Sequence, residues 1–135
     1  MIKRLLSLVL CIVVFSCSNN SFNDISKLEF KTYTIVVTEV PEVQVRLQKL
    51  LGNDYEIINS LLVKSNPGLS PIVDGYLFSF FADNANYDQV YMLIDNSNNN
   101  ILLGYYNATE DKVRVFEEKE GATYDGEFDK WVNGE

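Results

Sequence analysis

Cysteine is the most reactive side chain in this sequence, and it occurs twice, as Cys11 and Cys17. The sequence contains no histidine. A cysteine or serine nucleophile is ordinarily activated by a neighbouring imidazole, so the composition excludes Cys-His and Ser-His-Asp catalysis. The lack of histidine also removes the usual general base at neutral pH and argues against a structural zinc site. No carboxylate or lysine motif replaces them, and we predict no catalytic residue, metal or cofactor.

The first fifteen residues give the cysteines their context. Lys3 and Arg4 precede an apolar stretch from Leu5 to Phe15. This stretch is shorter than the roughly 20 residues that span a bilayer, and it has the length of the apolar region of a signal peptide.

The end of that stretch resembles the lipobox of bacterial lipoproteins. Residues 14–17 read VFSC, an aliphatic residue, a tolerant position, a small residue and a cysteine. The resemblance covers residues 1–17 only, and Phe15 is bulkier than the commonest residue at its position. It implies cleavage between Ser16 and Cys17, followed by attachment of several acyl chains to Cys17, which gives stable membrane anchoring. The alternative is an uncleaved apolar helix with an incidental cysteine.

The same resemblance implies a location and a domain plan. No aspartate directly follows Cys17, a pattern similar to that of Gram-negative lipoproteins sorted to the outer membrane, so we expect a periplasm-facing protein. Residues 1–16 would be the signal peptide and residues 17–30 the lipidated N-terminus with a flexible tether. Residues 31–135 are long enough for one domain.

The negative net charge of the chain limits the classes of binding partner that we expect. The net charge of −8 becomes about −10 once Lys3 and Arg4 leave with the signal peptide. Cys11 would leave as well, so no disulfide is expected in the mature chain. Nucleic acids and anionic membrane surfaces select basic patches, so we expect neither as a partner. The charge fits plain solubility or a cationic protein partner, and both remain open.

Apolar periodicity predicts one clear helix. Val43, Leu47, Leu50 and Leu51 recur at i, i+4, i+7 and i+8, between Pro41 at the start and Gly52 as the stop. Runs rich in β-branched and aromatic residues predict strands over 32–38 and 74–82. Residues 55–64 could form a helix or a strand, and their isoleucine and valine content favours a strand.

A second set of strands predicts an antiparallel meander. Residues 87–94 and 101–106 form a hairpin around an Asn/Ser turn, and residues 112–118 follow with alternating polarity, valines inward and Lys112 and Arg114 outward. Gly104 in the second hairpin strand indicates a bulge or a close backbone approach. Residues 124–135 form a short closing helix with its apolar residues on one face. The fold class is α+β, an antiparallel sheet of about five strands with one or two short helices packed on it.

The hairpin also supplies the candidate partner-binding residues, because tyrosine is favoured at protein interfaces. These are Tyr87, Tyr91, Asp95, Asn98, Tyr105 and Tyr106. Cross-strand aromatic pairs that only stabilise the sheet are the alternative. The run DNSNNN, residues 95–100, loosely resembles a calcium loop, but it lacks the central glycine and has Tyr106 at the twelfth position, so a turn explains it better.

The hairpin sequence VYMLIDNSNNNILLGYY, residues 90–106, is similar to periplasmic lysozyme inhibitors of the Ivy type, although the chain lacks their cysteine-bracketed loop. The resemblance implies an inhibitor or immunity protein against a cationic cell-wall hydrolase. We therefore predict a lipid-anchored protein-binding module. Two alternatives stay open, an accessory or assembly lipoprotein of an outer-membrane complex and a small-ligand-binding lipoprotein.

Overall fold

The computed structural model describes residue 22 and residues 25–73, 77–84, 87–120 and 126–135. The predicted signal peptide and the lipidation site, including Ser16 and Cys17, lie outside the described residues. No helix of the described part combines the length and the hydropathy needed to cross a membrane.

A five-stranded antiparallel sheet forms the centre of the protein, and its strands lie side by side in chain order. The strands are β1 (Ser70–Val73), β2 (Leu77–Asp83), β3 (Gln89–Asp95), β4 (Asn100–Asn107) and β5 (Lys112–Glu117). The predicted meander and the α+β class are confirmed. Neighbouring strands pair in regular register from β2 to β5, with a register shift only between Pro71 and Val73 of β1.

In the described part of the chain, four α-helices accompany the sheet: α1 (Tyr33–Glu39), α2 (Pro41–Leu51), α3 (Tyr55–Ser65) and α4 (Gly126–Asn133). Short 3-10 turns at Ile25–Leu28 and Gly52–Asp54 precede α1 and α3. Helix α2 begins and ends as predicted, with Pro41 in its first turn and Gly52 at its end with a φ of 54°. The closing helix α4 is also confirmed.

Two predicted strands, 32–38 and 55–64, are wrong, because these segments form α1 and α3. Their buried side chains recur at helical spacing, Tyr33 and Val36 in the first segment and Tyr55, Ile58 and Leu62 in the second. Intrinsic helix and strand propensities differ by less than about 1 kcal/mol per residue. Burying one apolar helix face is worth more than that preference, so the β-branched content did not decide the structure.

The main core lies between helices α1–α3 and one face of the sheet, here named the helix-covered face. It includes Phe78, Phe80, Val90, Met92, Ile94, Ile101, Leu103 and Tyr105. Tyr33 of α1 is fully buried, its ring meets Phe80 edge-on at 5.4 Å, and its hydroxyl donates to Oδ1 of Asn59 at 2.7 Å. The opposite side, the second face, carries a smaller cluster beneath α4.

Packing begins earlier in the chain than predicted. Phe22 and Ile25 are completely buried, and the guanidinium of Arg46 lies 4.4 Å from the centre of the Phe22 ring. The prediction of a flexible tether up to residue 30 is therefore wrong for Phe22 and for residues 25–30. The polar neighbours of these two apolar side chains obscured their i, i+3 spacing in the sequence.

The orientation of the β5 side chains also differs from the prediction. Arg114 pairs with Tyr105 in the register, which places it on the helix-covered face, and its Nη2 lies 2.9 Å from Oδ1 of Asp54. Val115 lies on the second face and is 46% exposed. An arginine stem packs well against apolar surface while its charge finds a carboxylate, so Arg114 takes the place expected for a valine.

We expect Tyr33 to make stability fall at alkaline pH. Burial, and to a smaller extent the charge of Tyr55, raises the pKa of Tyr33 far above its ordinary value of 10.0. The unfolded chain therefore loses this proton first, so the stabilisation is complete below pH 10 and is lost as the pH rises above it. Urea unfolding from pH 8 to 11 should show a smaller loss of unfolding free energy for Tyr33→Phe than for the wild type. Identical pH dependence in both proteins would contradict this assignment.

Candidate functional site

Helix α4 covers the middle of the second face with an aromatic cluster. Its Phe128 and Trp131 pack on Tyr91 of β3 with ring centres 5.4 and 5.7 Å away. Leu93 and Leu102 lie beneath them, and Val132 packs at the side. The predicted apolar face of α4, formed by Phe128, Trp131 and Val132, is confirmed, and it packs on Tyr91, Leu93 and Leu102 of the sheet.

Gly104 permits the close approach of α4 to β4. A Cβ atom at this position would lie 2.4 Å from Cζ3 of Trp131 and 3.3 Å from Cε2 of Phe128. The register with β5 is regular at Gly104, so the glycine marks close packing rather than a bulge. Any larger residue would push the helix away from the sheet.

A groove of about 630 Å³ opens between the C-terminal end of α4 and the last two strands. We call it the α4 groove. Its walls are formed by Gln89, Tyr106, Asp111, Lys112, Val113, Trp131, Val132, Asn133, Gly134 and Glu135. The indole Nε1 of Trp131 donates to Oε1 of Gln89 at 3.0 Å, which fixes the orientation of the ring.

Tyr106 is the tyrosine that points its phenol into this groove. Its hydroxyl donates to Oδ1 of Asp111 at 3.0 Å. This hydrogen bond raises the pKa of Tyr106 above its ordinary value of 10.0. The groove thus presents an indole, a phenol and valine side chains next to carboxylates, which suits recognition of a mixed apolar and basic surface.

Apolar side chains remain exposed on both sides of α4. Phe81 of β2 is 44% exposed, with its ring 6.5 Å from that of Trp131, and Val115 of β5 is 46% exposed. The second face therefore carries a strip of apolar surface that α4 interrupts but does not cover.

The other predicted binding tyrosines lie elsewhere. Tyr87 is 75% exposed in the segment before β3, whereas Tyr91 lies under α4. Tyr105 is buried on the helix-covered face, where burial and Asp88 raise its pKa. The structure therefore does not bring the tyrosines of the hairpin together on one surface.

Asp95, the last residue of β3, and Asn98, in the turn before β4, lie at the other end of the hairpin. The Asn98 amide donates to Oδ1 of Asp95 at 3.0 Å, and its Nδ2 donates to Oδ2 at 2.7 Å. Asp95 is buried, and its carboxylate accepts both of these hydrogen bonds from the turn. Within the described residues, no group of three or more cysteine, aspartate or glutamate side chains is arranged to hold a metal ion.

Sequence reasoning missed the α4 groove, although two signals pointed to it. Gly104 lies among large apolar residues, and the only tryptophan of the chain lies in the predicted closing helix. Together they indicate a bulky ring packed on a glycine. What the sequence did not reveal is that this helix covers only part of the sheet.

Comparisons with protein-family models, with curated proteins and with solved structures give no match to this chain.

We predict that Gly104→Ala loosens α4. The added methyl group collides with Trp131, and such overpacking costs about 1–3 kcal/mol of unfolding free energy. Because Trp131 is the single tryptophan, its emission reports on this helix directly, and a shift to longer wavelength is expected.

Gly126→Ala is the matched control, since nothing lies within 4 Å of a Cβ atom at the start of α4. This variant should keep the emission of the wild type. If Gly104→Ala kept it too, Trp131 would not pack on Gly104.

Proposed function

We propose that the protein is a lipid-anchored envelope protein that binds another protein through the α4 groove. The observation that supports this most strongly is the partly covered second face, with Phe81 and Val115 exposed on either side of α4. Exposed apolar surface next to aromatic and polar groups is typical of protein interaction sites. The groove is open to solvent, which suits a segment of a protein better than an enclosed small molecule.

Charge favours a cationic partner. Asp111 and Glu135 line the groove with Lys112 as its only described cation, and the whole chain carries a net charge of −8. Complementary charge speeds up encounter and rejects acidic competitors. A cell-wall hydrolase with a basic surface is the partner class that this charge and the resemblance of the hairpin to lysozyme inhibitors favour together.

The geometry of the chain agrees with anchoring at Cys17. The buried Phe22 is the fifth residue after Cys17, a reach of at most about 18 Å. Phe22 lies beside Arg46, whose Nη1 donates to Oδ1 of Asn99 in the turn between β3 and β4. Anchoring at Cys17 would therefore place the end of the domain that carries this turn nearest the membrane.

The α4 groove extends to the opposite end. Asp111, one of its wall residues, lies in the turn between β4 and β5, and the eight residues of β4 separate the two turns by about 25 Å. A domain held at Phe22 would present the groove away from the membrane, where a periplasmic partner can reach it.

Capture experiments test the groove. A fragment of residues 20–135 is immobilised and exposed to an envelope extract and to a panel of cationic peptidoglycan hydrolases. We expect a partner whose affinity falls at least about tenfold in Tyr106→Ala, because the ring forms one wall of the groove. Affinity should also weaken between low and physiological salt.

Ile57→Ala is the matched control, since this side chain is 61% exposed on α3, across the sheet from the groove. It should bind like the wild type. Equal loss in both variants, with folding verified by circular dichroism, would contradict the assignment of the groove. Inhibition of a hydrolase supports the inhibitor form of the proposal, and capture of a resident outer-membrane complex without inhibition supports the assembly alternative.

Cysteine replacement tests the anchor. In cells fed a labelled fatty acid, Cys17→Ser should lose the label and retain residues 1–16, because acylation and cleavage both require this thiol. Cys11→Ser should be labelled and cleaved normally. Labelling of Cys17→Ser would disprove lipidation at this position, whatever the groove binds.

A further inference from the structure

We propose that two copies of the chain associate through β5, forming one continuous antiparallel sheet about a two-fold axis that passes beside Val115. The other outer strand, β1, is a poor candidate for pairing. It has four residues, contains Pro71 and has a register shift between Pro71 and Val73. Such features protect an edge from pairing.

The outer side of β5 has the regularity that β1 lacks. Its six residues pair with β4 without a break, and no described strand lies on its other side. The Glu118 amide donates to the Ile101 carbonyl at 3.1 Å, so the peptide groups of residues 112, 114 and 116 point towards β4 by alternation. Those of Val113, Val115 and Glu117 point outward and can bond to a second copy.

Symmetry restricts the pairing to a few registers. A two-fold axis perpendicular to the sheet leaves the second face of both copies on the same side of the joined sheet. Residues that lie directly opposite each other in an antiparallel pair share a face, so the axis must pass beside one residue and its equivalent in the second copy. The centre of β5 lies between Arg114 and Val115, and an axis beside either residue pairs most of the strand.

Side-chain chemistry decides between these two registers. An axis beside Arg114 places two guanidinium groups directly opposite each other, which is unfavourable. An axis beside Val115 brings the two half-exposed valines together and covers them. It also places Arg114 opposite Phe116 of the second copy, repeating the contact of 5.7 Å that Arg114 makes with the ring of its own Phe116.

Charges at the ends of the paired segment agree with the same register. Lys112 lies opposite Glu118 of the second copy, and Val113 lies opposite Glu117. The exposed valine and the opposite charges of Lys112 and Glu118 thus select the axis beside Val115, and the outward peptide groups can bond to the second copy in that register. This inference does not depend on the lipid anchor or on the partner of the α4 groove.

Disulfide trapping tests the register in the full chain. The parent protein carries Cys11→Ser and Cys17→Ser and is held in mild detergent. V115C places two thiols on the axis, where a hydrogen-bonded antiparallel pair has Cα atoms about 5.5 Å apart, within disulfide range. V113C alone places its two thiols four residues apart along the strands, beyond disulfide range. We expect a disulfide-linked dimer from V115C and at least about tenfold less from V113C.

Mixing V113C with E117C provides the complementary measurement. These positions face each other in the proposed register, so the mixture should form a mixed disulfide that neither variant forms alone. Association through the apolar N-terminal residues would affect all variants equally and so cannot produce this pattern. Equal trapping of V113C and V115C, no trapping of V115C, or a mixed disulfide only between V113C and V115C would overturn the proposal.

Discussion

The central strands β3 and β4 are apolar on both faces, and the rest of the structure follows from this constraint. Met92 and Leu103 face one side, while Leu93 and Leu102 face the other, and all four are buried. A sheet of this kind requires a cover on each face, because strands buried on both sides lose most of their stabilisation if one cover is missing. Helices α1–α3 form the first cover, and α4 forms the second.

The two covers differ in extent, and this difference gives the protein its proposed surface. Three helices bury the apolar residues of β2, β3 and β4 on the helix-covered face, but α4 has only eight residues. It binds closely because Gly104 admits the Trp131 ring, yet it leaves Phe81 and Val115 exposed. The same incomplete cover thus accounts for the α4 groove beside the helix and for the exposed valine on β5. The two proposed interactions use adjacent parts of the protein surface that share Lys112 and Val113.

Elements were predicted correctly from the sequence where local residues mark their ends or turns. Helix α2 has both a starting proline and a terminating glycine, and the β3–β4 hairpin has a turn of short polar residues. Helices α1 and α3 have β-branched and aromatic residues instead, and only their packing on the sheet reveals their type. The positions of the hairpin tyrosines could not be predicted for a related reason, since alternation along a strand tells which residues share a face but not which face is covered. Tyr105 and Tyr91 are covered, on opposite faces, and Tyr106 alone reaches the groove.

The most direct test of the account follows the single tryptophan while the partner binds. Incorporation of 5-fluorotryptophan gives one fluorine resonance, from Trp131 in the wall of the α4 groove. Titration with a captured partner should shift or broaden this resonance in proportion to the bound fraction. A partner that is shown by diffusion measurements to be fully bound while the Trp131 resonance stays unchanged would contradict binding at the α4 groove.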